Sequence, residues 1–125
     1  MKILITGGNG FLGKSLQAKI KQHDVVTFGS QEYNLIDAQQ TDDLFSKTRP
    51  DIVVHLAATV GGIGANKENP GKFIYENLAM GINTIEASRK YEVKKFAMVG
   101  TVCSYPKFTP VPFVEEELWN GYPEE

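Results

Sequence analysis

An α/β fold built on a doubly wound parallel sheet is what this sequence predicts, and three observations predict it. The first is the opening stretch. A short apolar run, Ile3-Leu4-Ile5, leads straight into a glycine cluster, which opens a segment with Leu12, Leu16 and Ile20 at helical spacing. The second is that strand-like and helix-like patterns then alternate along the chain, as they do where crossover helices join parallel strands. The third is the run from Pro50 to Ala58, which is apolar without alternation, the pattern of a strand buried on both faces.

Length and composition bound the rest. The 125 residues are enough for one domain, taken as residues 1–125, with 42% hydrophobic and 22% charged residues. A formal net charge of −2 offers no basic surface to a nucleic acid or an anionic membrane. No apolar run is long enough to span a bilayer, and no basic-then-apolar leader opens the chain. The single cysteine, Cys103, has no partner for an internal disulfide, which fits a reducing, cytoplasmic setting.

The glycine cluster carries the first chemistry. Gly7, Gly10 and Gly13 fit T-G-x-x-G-x-x-G, and Gly8, Gly10 and Gly13 also fit G-x-G-x-x-G. The first glycine turns the chain off the strand, the middle one lets a pyrophosphate approach the main chain, and the last lets helix and strand pack closely. The helix start adds free N–H groups and about half a positive charge. Gly7, Gly8, Asn9 and Gly10, followed by Phe11, Leu12 and Gly13, are therefore expected to hold a dinucleotide.

Val25–Phe28 reads as a second strand. Its end is where an acidic residue commonly accepts the ribose 2′-hydroxyl of NAD. Phe28, Gly29, Ser30 and Gln31 stand there, none acidic, with Glu32 next. The missing carboxylate favours NADP, with NAD still open, and Ser30 is expected at the ribose and Lys14 as a candidate cation. Asn34-Leu-Ile-Asp37 precedes a short helix with Leu44 and Phe45 on its apolar edge. Asp37 fits a helix cap and also a place beside the adenine. Along the Pro50–Ala58 strand, His55 reads as a hydrogen-bonded core residue, while Ala57 and Ala58 are small enough for a cofactor to lie against the main chain.

Val60-Gly-Gly-Ile-Gly-Ala-Asn66 is a second glycine-rich loop and is expected to line the site, because ligands of open α/β sheets bind beyond the carboxyl ends of strands. A long helix from Pro70 to about Tyr91 should set Phe73, Ile74, Leu78, Ile82 and Ile85 on the sheet. Asn77, near that face, is either a clamp on a loop or a cofactor contact. Lys95–Gly100 reads as the fourth strand, followed by Thr101-Val-Cys-Ser-Tyr-Pro106. The remaining Pro- and acid-rich stretch reads as irregular surface. No metal-ligand cluster is expected.

These motifs resemble the extended short-chain dehydrogenase/reductases. The glycine turn, Asn34–Asp37, His55-Leu-Ala-Ala58, Val60-Gly-Gly-Ile63, Tyr75-Glu-Asn77 and Thr101–Pro106 carry the likeness over nearly the whole chain. Val60–Ile63, with the cysteine and Tyr105-Pro106 after the fourth strand, is similar to the GDP-L-fucose synthase branch. That resemblance implies a Rossmann-like, NADPH-dependent 3,5-epimerisation and 4-reduction of GDP-4-keto-6-deoxy-D-mannose, a GDP-sugar. It implies Cys103 as acid/base and Thr101, in place of a serine, as the hydroxyl at the substrate carbonyl. It also places Leu56, Val99, Gly100 and Val102, with the residues above, around the cofactor. Family dimers use helices partly beyond these residues, and a homodimer is compatible with them.

The resemblance also sets expectations about what is missing. Its Tyr-x-x-x-Lys pair and its C-terminal sugar-binding domain would follow Glu125. Tyr91 and Lys95 have that spacing but fall at the amino end of the sheet. The expected sheet is thus an incomplete one, order 3-2-1-4, with an exposed fourth-strand edge prone to association. The 125 residues should bind a cofactor without completing the reaction. Two other readings are another NAD(P)-dependent nucleotide-sugar epimerase or dehydratase, and a non-catalytic dinucleotide-binding module.

Overall fold

The computed structural model describes residues 1–123. Strand β1 (Lys2–Thr6) is followed by α1 (Phe11–Lys19), β2 (Asp24–Thr27), α2 (Ala38–Thr48) and β3 (Ile52–His55). A short helix α3 (Ile63–Glu68) and the long α4 (Pro70–Lys90) lead to β4 (Lys95–Met98). Two 3₁₀ turns, Val102–Ser104 and Glu115–Trp119, come after it. The strands form one parallel sheet in the order β2-β1-β3-β4.

The Rossmann-like α/β class therefore holds, but the order 3-2-1-4 does not. That order required the third strand to lie outside β2. Instead the chain spends Phe28 to Asp37 on turns, and β3 pairs with β1 on its other side. Burial explains the choice. Val53 is fully buried, and a strand apolar on both faces belongs in the centre of a sheet.

This order makes the chain reverse direction across the sheet between β1 and β3. The β1–β2 crossover runs one way and the β2–β3 crossover runs back. Right-handed crossovers then set α1 on one face and α2 and α4 on the other. The larger core lies under α2 and α4, where Leu4, Val53, Leu44, Phe45, Met80 and Ala87 come together. On the α1 face Ile3 and Ile5 are buried, while Val54 and Ala97 are half-buried.

The long helix departs from expectation in which side it turns to the sheet. Ile74, Leu78, Ile82 and Ile85 are 61%, 56%, 62% and 52% exposed, so they do not form its packed face. The neighbouring stripe of Met80, Gly81, Thr84, Ala87 and Ser88 is the buried one. Its residues are mostly small, and the helix axis approaches the sheet closely only over small side chains. Thr84 and Ser88 satisfy their hydroxyls on the preceding helical turn, Thr84 on the Met80 carbonyl at 2.8 Å and Ser88 on the Thr84 carbonyl at 2.7 Å. These hydroxyls therefore enter the interior without an unpaired donor.

Candidate functional site

The carboxyl ends of β1 and β3 meet at the reversal point. Gly7 has φ +68°, and a Cβ there would stand 2.8 Å from the Ala57 nitrogen and the Leu56 carbonyl carbon. Only glycine accepts both that conformation and that closeness. Gly10 donates its N–H to the Gly7 carbonyl at 3.0 Å and caps α1 without a side-chain bond. Gly13 is buried, and a Cβ on it would fall 2.6 Å from the Gly7 carbonyl oxygen. Gly7 and Gly13 thus do the jobs of turn and close packing that their spacing implies. A Cβ on Gly10 would stand 3.2 Å from the Gly7 carbonyl oxygen, a tight contact, and Gly10 itself borders the hollow above these strand ends.

Two side chains support the turn: Gln17, which carried no signal in the sequence, and Thr6, the threonine of the T-G-x-x-G-x-x-G motif. Gln17 donates from Nε2 to the carbonyls of Gly8 at 2.7 Å and Gly13 at 3.1 Å, tying helix to loop from behind. Thr6 Oγ1 accepts the N–H groups of Leu56 at 3.2 Å and Ala57 at 3.1 Å, and lies 2.9 Å from His55 Nδ1. His55 is 5% exposed and stacks on Phe96. Burial holds its pKa below the usual histidine value. It is the hydrogen-bonded core histidine the sequence suggested.

A hollow of about 1040 Å³ opens above these strand ends. Gly7, Gly10, Phe11, Leu12 and Gly13 line one side, and Leu56, Ala57, Ala58, Val99 and Thr101 line the sheet side. The exposed stripe of α4 forms its far wall. Of the lining residues, His55 alone has an ionisable side chain, and none carries a permanent charge. Of the second glycine-rich loop, only Asn66 reaches the lining, and Ile63 onward is helical rather than loop. Gly8 and Asn9 stay in the turn beside β2, where a Cβ on Gly8 would strike the Thr27 methyl.

Asn77 is the loop clamp. Its Oδ1 accepts the Thr59 N–H at 2.8 Å, and its Nδ2 donates to the Thr59 carbonyl at 2.8 Å and to the Phe73 carbonyl at 2.9 Å. It also borders the hollow, so clamp and wall coincide. Asp37 caps α2, with Oδ1 accepting from the Gln39 and Gln40 N–H groups at 2.8 and 3.1 Å. The Gln40 main-chain bond is the main reason its carboxyl lies below the ordinary range. Asn83, unmarked by any motif, donates to the carbonyls of Leu35 and Ile36 and holds this segment against α4.

At the end of β2, Ser30 is exposed. Glu32 folds back so that Oε1 accepts the Gly29 N–H at 2.7 Å, which does bring a carboxylate to this strand end. Beyond β4, Gly100, Val102 and Cys103 are exposed. Thr101 Oγ1 accepts the Cys103 N–H at 3.2 Å, and the Ser104 hydroxyl donates to the Thr101 carbonyl at 2.6 Å. Thr101 borders the hollow, whereas Cys103 is not among its lining. Tyr91 stacks on Phe45 and Lys95 opens β4 at the amino end of the sheet, so the Tyr91–Lys95 pair stands away from the hollow. Among the described residues no group of His, Cys, Asp and Glu is arranged to hold a metal. None of their helices is long and apolar enough to cross a membrane.

A glycine turn and an uncapped helix start at the reversal point of a parallel sheet define the dinucleotide-binding class of α/β domain. The chain belongs to the NAD dependent epimerase/dehydratase family, whose profile matches residues 3–124. It is 36% identical over 123 residues to the GDP-L-colitose synthase of Yersinia pseudotuberculosis, covering 97% of this chain and 40% of that protein. To the GDP-L-fucose synthase of Escherichia coli strain K12 it is 35% identical over 123 residues, 96% of this chain and 38% of that one. Among solved structures, a GDP-D-glycero-L-gluco-heptose synthase of Campylobacter jejuni, determined in the presence of NADPH, superposes with a TM-score of 0.90. The identity there is 32%, over 98% of this chain and 37% of the other. The chain spans about two-fifths of the length of the relatives it matches.

Proposed function

We propose that these residues are the cofactor-binding part of an NADP-dependent enzyme that epimerises and reduces a GDP-sugar, as the GDP-L-fucose synthases do. The observation that carries the reading is the Gly7–Gly13 turn at the reversal point of the sheet, with its main chain open to the hollow. The pyrophosphate lies over Gly10, Phe11 and Leu12, and the rest of the dinucleotide lies along Leu56–Ala58, toward Val99. A bound nicotinamide supplies hydride. The chain's own contribution to the chemistry is the Thr101 hydroxyl, which binds the sugar carbonyl, and the Cys103 thiol, which moves protons on its neighbouring carbons. General acid–base help of this kind is worth roughly 10²–10⁴ in rate.

In this reading the sugar-binding part and the Tyr-x-x-x-Lys pair lie outside the 125 residues. On their own, the 125 residues hold the cofactor and turn nothing over. The lone cysteine supports a reducing, cytoplasmic setting. One observation favours a second reading for the cofactor. The Glu32 carboxylate at the end of β2 suits the 2′-hydroxyl of NAD and opposes a 2′-phosphate.

Calorimetric titration with NADPH and, separately, NADH tests both. NADPH binding more tightly than NADH is the expected result. The reverse order gives the specificity to Glu32. A folded chain that binds neither overturns the proposal.

A further inference from the structure

The bonds around Thr6 fix a proton. Its hydroxyl oxygen accepts two main-chain N–H groups, from Leu56 and Ala57, which occupy both lone pairs. The remaining partner is His55 Nδ1 at 2.9 Å, and the hydroxyl has one hydrogen to give. Nδ1 is the acceptor within reach of that hydrogen, which assigns it the bare state and makes the imidazole a neutral ring with its hydrogen on Nε2. A protonated ring would bring a second hydrogen to an oxygen with no acceptor site left. One of the two main-chain bonds would then have to break. Leu56 N–H also reaches the Thr6 carbonyl at 3.1 Å and yields first, which leaves Ala57 N–H, held by the hydroxyl alone, on an oxygen that has lost its fixed orientation. Ala57 is also the residue against which Gly7 is pressed.

We propose that Thr6 and His55 form a proton-controlled latch: the neutral imidazole orients the Thr6 hydroxyl, which holds the Leu56–Ala57 main chain against the Gly7 turn in the form that binds the dinucleotide. Both are positioning residues. The proposal rests on the dinucleotide reading for its consequence, though not for its geometry. Among the described residues, no neighbouring charge competes for control of the ring. From β4 it meets the Phe96 ring, and Met98 is its register partner. From β1 it meets Thr6. The part of α4 that borders the hollow presents Asn77, Leu78, Gly81, Ile82 and Ile85, and the start of α1 presents Phe11, Leu12 and Gly13. Burial, which pushes the ring toward its neutral form, is the influence left.

The test uses the chain labelled with ¹⁵N, with His23→Gln to assign the rings. At pH 8 the His55 spectrum should show a protonated Nε2 and a bare Nδ1. As pH falls, the main-chain amides of Gly7 and Ala57 should shift with the His55 midpoint, and that midpoint should lie below the usual histidine value. A protonated Nδ1 at pH 8, or amides that ignore the His55 titration, overturns the latch whether or not any nucleotide binds. NADP⁺ affinity is the second readout, expected to weaken by about tenfold across the His55 titration. His55→Gln removes that step while the 2′-phosphate titrates alike in both proteins. Thr6→Ser keeps the step, and Thr6→Val loses it together with affinity at high pH. Equal pH profiles for the parent and His55→Gln overturn the proposal. Absence of NADP⁺ binding in the folded parent instead removes the dinucleotide reading, and the amide shifts still decide the latch.

Discussion

Between β1 and β3 the main chains meet with no side chain between them. Gly7 touches the Leu56–Ala57 peptide there, and Thr6, fully buried, bonds across to β3. Beyond β4 the chain runs differently. Thr101 to Ser104 are exposed, and the bonds described there are local ones, from Thr101 to the next turn. The first region joins segments some fifty positions apart, and the second joins neighbours two or three positions apart. Long-range ties of the first kind open only when much of the sheet opens with them, whereas a local turn opens alone. The part proposed to hold phosphate is thus built into the sheet. The part proposed to carry Thr101 and Cys103 follows an edge strand that is paired on one side, to β3.

The contrast breaks most sharply at Gly7. Gly7→Ala forces a left-handed conformation on alanine and drives its methyl into the β3 main chain. A loss of about 3 kcal/mol or more is expected, read as a lower urea midpoint, with nucleotide binding abolished. The same substitution at Gly100 meets open space and should cost little. Asn77 ranks next. Asn77→Ala strips the Thr59 N–H and two carbonyls of their partner, for about 2 kcal/mol. Amide exchange measured from Thr59 to Asn66 should quicken more than exchange in β1.

These differences also mark what was readable in the sequence. The glycine turn was legible because each glycine answers a local requirement of turn or close approach, which composition at that spot records directly. The strand order was not. Which side of β1 receives the third strand depends on how the Phe28–Asp37 segment is used, and its Leu35 is buried as part of the core rather than as part of a strand. His55 was legible as a buried histidine, but its tautomer depends on a partner 49 positions away. Gln17 and Asn83 look like ordinary surface amides until the carbonyls they serve are in place. Asp37 showed its capping role because a cap is local.

The smallest expected effect is the one that tests the reading of α4. Periodicity finds the stripe of large aliphatic residues, but it does not say which of two neighbouring stripes of the helix the interior accepts. Here Gly81, Thr84, Ala87 and Ser88 lie against the sheet, and Leu78 and Ile82 stand along the hollow. If that assignment is right, Leu78→Lys and Ile82→Lys add charge at positions 56% and 62% exposed. Each should change the urea midpoint by no more than about 0.5 kcal/mol equivalent. Met80→Lys, on the buried stripe at 8% exposure, should instead destabilise by several kcal/mol, on the order of the cost of an unpaired charge in the core. Equal losses at Leu78 and Met80 would return the larger stripe to the sheet, as periodicity alone had it, and the hollow would then close.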